Sequence, residues 1–122
     1  NTFTNGTING NIASGNEDGF IVDTFTGGTF SGNTASGNGN SVIGSGFRVS
    51  TVTGGTISDN TASGNSTDGF FVNDFTGGNS AVFSNNSATN NTVLSYRILS
   101  GTPFDGVMTN TGSGNGGGEN SF

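Results

Sequence analysis

The sequence predicts an all-β fold, a single-stranded parallel β-helix (β-solenoid) of about five coils with repeats of 22–27 residues. Three observations predict it. An Asn-x-Ala-x-x-Asn core recurs at Asn11–Asn16, Asn33–Asn38, Asn60–Asn65 and Asn86–Asn91, with a degenerate copy at Asn110–Asn115. Apolar residues recur in the same order around each core, and Gly, Ser and Asn clusters separate the apolar segments. A period in this range marks a solenoid, whose coils bury their apolar faces only against one another.

The elements follow in chain order. Three residues before the first Asn of each copy lies Ile8, Phe30, Ile57 or Phe83. After the second Asn comes an aromatic, Phe20, Phe47, Phe70 or Tyr96, followed two residues later by Val22, Val49, Val72 or Ile98. Three residues further on stand Phe25, Val52 and Phe75, with no clear equivalent in the fourth copy. Such alternation reads as short half-buried strands. The Gly-Gly pairs at 27–28, 54–55 and 77–78 are expected to form turns between them. Residues 1–122 therefore read as one domain, a segment or subunit of a longer array, with repeat cores 8–25, 30–52, 57–75, 83–98 and a degenerate 108–122.

Stacking places like residues one strand spacing apart, about 4.8 Å. Phe20, Phe47, Phe70 and Tyr96 are then expected to form an interior ladder. An Asn amide carries both donor and acceptor, so Asn11, Asn33, Asn60 and Asn86 in one column, and Asn16, Asn38, Asn65 and Asn91 in another, can bond up and down the stack. That structural role explains their recurrence better than ligand binding does. Insertions fall at corners, most visibly between Asn38 and Phe47, so the 39–45 loop is a candidate functional loop.

Composition narrows function. Eight acids face two cations, Arg48 and Arg97, for a net charge of −6, which excludes a nucleic-acid binder needing clustered cations. No run approaches the roughly 18 apolar residues of a membrane helix. With no His and no Cys, neither a nucleophilic triad nor an ordinary zinc site can be built. Asp18 and Asp68 precede the Gly before the aromatic; they are weak calcium candidates, and Asp-Gly is also a common turn sequence in which Gly takes positive φ. No other cofactor is indicated, and the chain is expected not to be an enzyme.

One outward column holds Ile21, Arg48, Phe71 and Arg97, so both cations share a face with two apolar residues. Stacking would put Phe71 between two guanidinium groups at cation–π distance. The column reads equally as surface packing and as a contact face for another subunit or a ligand.

Phe30-Ser31-Gly32-Asn33-Thr34-Ala35 and Phe83-Ser84-Asn85-Asn86-Ser87-Ala88 resemble the Phe-x-x-Asn repeats of chlamydial polymorphic outer-membrane proteins. The Gly-Gly-Ala-aliphatic partner motif of that family is only approximated by Gly27-Gly28-Thr29-Phe30 and Gly54-Gly55-Thr56-Ile57. The resemblance implies a right-handed parallel β-helix on a cell surface, often adhesive. A weaker resemblance, to curli-type functional amyloid, departs from that pattern in lacking Gln.

The two ends are complementary. Phe3 and Ile8 repeat the spacing of Phe25 and Phe30, and Phe122 follows Asn115 much as Phe20 follows Asn16. Phe3, Ile8 and Phe122 are therefore the expected assembly seam, and copies of the chain the expected head-to-tail partners. The leading expectation is a non-enzymatic subunit of an extracellular or cell-surface filament. The alternatives are an adhesin module binding glycans or other surface proteins, and an ice-binding solenoid using outward Thr7, Thr29 and Thr56.

Overall fold

In the computed structural model of the protein, residues 1–40, 44–77, 80–101, 109–117 and 120–121 are described. Two corners per coil are made by residues in left-handed backbone. At the first corner these are Gly10, Gly32, Asp59 and Asn85, with φ of 69°, 62°, 57° and 53°. At the second they are Gly15, Gly37, Gly64, Asn90 and Gly114. Each immediately precedes a ladder Asn. Gly adopts this conformation without steric cost, and Asn and Asp tolerate it better than other side chains.

Among the described residues the corners join thirteen strands. They are β1 (Thr2–Phe3), β2 (Gly6–Asn9), β3 (Ile12–Ser14), β4 (Phe20–Ser31), β5 (Thr34–Ser36), β6 (Phe47–Ser58), β7 (Thr61–Ser63), β8 (Phe70–Phe75), β9 (Ala81–Ser84), β10 (Ser87–Thr89), β11 (Tyr96–Gly101), β12 (Thr111–Ser113) and β13 (Asn120–Ser121). All pairings are parallel. The broad sheet runs β1-β4-β6-β8-β11-β13, with β2 on β4 and β9 on β6; the narrow sheet runs β3-β5-β7-β10-β12. The narrow sheet thus counts five rungs of a parallel β-solenoid. Its register is strict: Ala13, Ala35, Ala62, Ala88 and Gly112 align.

Two expectations change on the broad sheet. Gly27-Gly28 and Gly54-Gly55 do not end strands but lie inside β4 and β6, where the register shifts between Phe25 and Thr29. A bulge there bends a continuous twelve-residue strand. The equivalent of Phe75 in the fourth copy, unclear from sequence, is Gly101.

The core is a set of ring columns. Phe20, Phe47, Phe70 and Tyr96 stack with centroids 5.0, 4.6 and 5.2 Å apart. Phe30 and Phe83 meet that column edge-on, at 5.5–5.7 Å. Such pairs contribute about 0.5–1.5 kcal/mol each beyond the burial itself. Tyr96 replaces Phe where its hydroxyl reaches the Asn86 and Thr111 carbonyls, at 2.6 and 2.7 Å. Phe20 is only half-buried, because no complete coil covers its outer side.

Small residues close the section between the sheets. A Cβ on Gly46 would lie 2.8 Å from the Ala62 Cβ and 2.9 Å from the Asn65 Nδ2; Gly19 and Gly69 repeat the geometry. None of the three has positive φ. The Asp-Gly sequences were read as turns needing that freedom, but here Gly serves close approach to Ala and Asn across the core.

Candidate functional site

Both Asn columns form continuous ladders with one direction. At the first corner the backbone N–H and the Nδ2 of Asn11, Asn33, Asn60 and Asn86 donate to the Oδ1 of Asn33, Asn60, Asn86 and Asn110, at 2.8–3.1 Å. At the second corner the N–H of Asn16, Asn38, Asn65 and Asn91 reaches the next Oδ1 at 2.9–3.1 Å. The remaining amide proton finds a backbone carbonyl, as Asn60 Nδ2 does on Phe30 at 2.9 Å and Asn65 Nδ2 on Ala35 at 3.3 Å. Asn33, Asn60, Asn65 and Asn86 are fully buried and fully paired. These residues are occupied by the fold.

The ladders end differently at the two edges. Among the described residues no donor reaches the Oδ1 of Asn11 or Asn16, and no acceptor receives the N–H of Asn115. Phe3 stacks on Phe25 at 5.3 Å and Ile8 pairs with Phe30 in register. Phe122, the other half of the expected seam, lies outside the described residues, as do residues 41–43 of the candidate loop.

The outward face of the broad sheet carries a groove. It measures about 400 Å³ and is bordered by Asp18, Asp68, Arg48, Arg97 and an apolar floor of Phe71, Val93 and Leu99. Ile21, Arg48, Phe71 and Arg97 fall in one register column. The calcium candidates and the contact face, read separately from sequence, are thus one place.

Within it the cations do not turn to Phe71. Arg48 Nη1 donates to Asp18 Oδ2 at 3.3 Å, while Arg97 Nε and Nη2 donate to the two oxygens of Asp68 at 2.8 and 3.2 Å. An ionised carboxylate outcompetes a ring face for a guanidinium, so the expected cation–π sandwich does not form. Both carboxylates are almost wholly buried, and each also caps a backbone N–H in the following coil: Ser45 on Asp18 at 2.8 Å, Leu94 on Asp68 at 3.1 Å. Hydrogen bonding to Asp68 pushes the Arg97 guanidinium up from its ordinary pKa, desolvation opposes this, and the Asp68 charge adds to it. As far as the titration of Arg97 itself goes, that contribution is present below the guanidinium's ordinary value and is lost as pH rises through its raised one, in strong alkali.

The pairing is diagonal and alternates. The column Asp18, Ser45, Asp68, Leu94 precedes the aromatics, and each Asp reaches an Arg one coil further on. Asp18 and Asp68 are two coils apart, roughly 10 Å at the usual strand spacing. They cannot share one cation, and among the described residues no group of His, Cys, Asp and Glu is placed to hold a metal. Sequence reasoning missed the diagonal; the available signal was that Asp and Arg alternate by coil.

Fold and ladders define the class: a parallel β-solenoid with Asn-laddered corners and a charged groove on its broad sheet. The chain belongs to the NosD family, described as periplasmic copper-binding protein (NosD), which it matches over residues 2–122. No curated protein and no solved structure gives a significant match. Among the described residues no helix is long and apolar enough to cross a membrane.

Proposed function

We propose that this chain is a non-enzymatic structural element of an extracellular or envelope solenoid that grows by stacking coil on coil. The observation carrying this reading is the direction of the ladders. One edge offers the acceptors Asn11 Oδ1 and Asn16 Oδ1, the opposite edge offers the Asn115 N–H, and every internal rung joins the same two groups. The rung that meets each edge is supplied by more of the same chain or by a second copy. A heterologous contact of this kind extends as a filament unless it closes.

The family's description favours the envelope side of the membrane. The donor set of this chain does not fit the copper in that description. Copper favours imidazole, thiolate and thioether donors; this chain has no His or Cys and a single Met, Met108. The two groove carboxylates are engaged by arginines. Catalysis is likewise unsupported, since both groove acids are held as ion-paired carboxylates. The ice-binding reading loses its flat rank, because Thr7, Thr29 and Thr56 align with Val82 in the next rung.

Electron microscopy and sedimentation of the purified 122-residue chain test the proposal. The expected product is a filament with an axial repeat of about 24 Å for five rungs at about 4.8 Å each. Phe3→Asp should shorten or abolish filaments while circular dichroism still reports β-structure. A folded monomer persisting at high concentration would overturn the stacking.

A further inference from the structure

The groove on the broad sheet has a composition that the structural role leaves unused. Its four charges cancel, in a chain of net charge −6. Arg48 uses one of the five N–H donors of a guanidinium on Asp18, and Arg97 uses two on Asp68. Most of both forks therefore stays available, while the buried carboxylates anchor them, Arg97 by two bonds and Arg48 by a single longer one. Between the forks lies half-buried Phe71, with Val93 and Leu99 beside it. Ser45 and Thr67 add hydroxyls, bonded to each other at 3.0 Å.

Anchored donors around an apolar floor suit a ligand with an apolar face and a rim of hydroxyls, which is the chemistry of a pyranose. A volume of about 400 Å³ falls in the range of small-molecule sites, about 300–1,000 Å³. The spacing narrows the class. Arg48 and Arg97 occupy the same column with Phe71 between them, so their repeat is two coils, roughly 10 Å. An extended β-1,4-linked glycan repeats over a disaccharide of nearly that length, with successive rings turned over. A bent α-linked chain does not match the period, and a polyanion gains no net attraction from a groove of zero charge in an acidic protein.

We infer that the Arg48–Phe71–Arg97 groove binds a neutral β-1,4-linked glycan lying along the solenoid axis, with a sugar ring over Phe71 and hydroxyls on the two guanidinium groups. The site is independent of the edges invoked for stacking. Isothermal titration calorimetry with cellohexaose, chitohexaose, maltohexaose and an oligogalacturonate tests it. Wild-type protein should bind at least one β-1,4-linked hexamer at least tenfold more tightly than maltohexaose or the oligogalacturonate. Phe71→Ala, outside the core, should weaken that binding at least tenfold, and Arg48→Gln should weaken it severalfold, with the thermal transition checking that both remain folded. Absence of binding to both β-1,4-linked hexamers, preference for the α-linked or acidic chain, or unchanged affinity in a folded Phe71→Ala would each overturn the assignment.

Discussion

The Asn corners and the charged groove repeat by different rules. At the corners the same side chain returns in every rung, and each copy bonds the one directly above it. In the groove the residues alternate, Asp then Ser then Asp in one column and Ile, Arg, Phe, Arg in the next, and the bonds run diagonally. A column that never varies is explained by its own vertical neighbour. One that varies with a fixed beat needs an explanation from the adjacent column, and that is where a surface can acquire a task beyond folding.

The sharpest way to break this comparison is to remove one rung of the invariant column. Asn60→Leu strips the acceptor from the N–H and Nδ2 of Asn33, takes the Nδ2 donor from the Phe30 carbonyl and leaves Asn86 Oδ1 with the residue-60 backbone N–H alone, all in a fully buried corner. At about 1–3 kcal/mol per orphaned buried group, the expected loss is roughly 3–6 kcal/mol. The same change at exposed Asn11 should cost under about 1 kcal/mol, so equal losses in urea unfolding would refute the ladder account. Phe70→Ala removes a ring held between Phe47 and Tyr96 and should cost about 3–5 kcal/mol through the cavity it leaves.

Groove substitutions should weigh less and should differ from each other. Arg97→Met leaves Asp68 buried with only the Leu94 N–H, for an expected loss of about 1–3 kcal/mol. Arg48→Met breaks a single longer bond from a half-exposed side chain and should stay within about 1 kcal/mol. Thr67→Ala, losing one hydroxyl contact to Ser45, is expected near about 0.5 kcal/mol. Thermal unfolding that ranked Arg48 above Arg97 would show that the second, shorter bond and lesser exposure of Arg97 are not what separates them.

Most of the fold was legible because the solenoid converts sequence period directly into spatial contact. Phe20, Phe47, Phe70 and Tyr96 each follow an Asn core and stand two residues before Val22, Val49, Val72 or Ile98, and strict register makes that shared motif a shared column even where the corner before Phe47 is longer. Two kinds of information did not follow from columns. Asp18-Gly19 and Asp68-Gly69 read as turns because Asp-Gly commonly turns, whereas the role of these glycines is set by Ala35 and Asn38, and by Ala88 and Asn91, across the section. The destination of Arg48 and Arg97 was misread because reading down a column shows Phe71 and not the carboxylate one column over and one coil back. Local propensity and vertical stacking are visible in the order of residues; contacts across and diagonal to the stack depend on the shape the corners impose.

The alternating Asp and Arg also set the length by which such a chain can change. Deleting the single coil that carries Arg48 would bring Asp18 under Phe71 and strand a buried carboxylate. Deleting that coil together with the next would bring Asp18 under Arg97, where a partner is waiting. In repeat arrays each unit answers only to its neighbours, so the smallest piece that this solenoid can gain or lose without an electrostatic penalty is a pair of coils. Variants of the array are therefore expected to differ by even numbers of rungs wherever this face is retained.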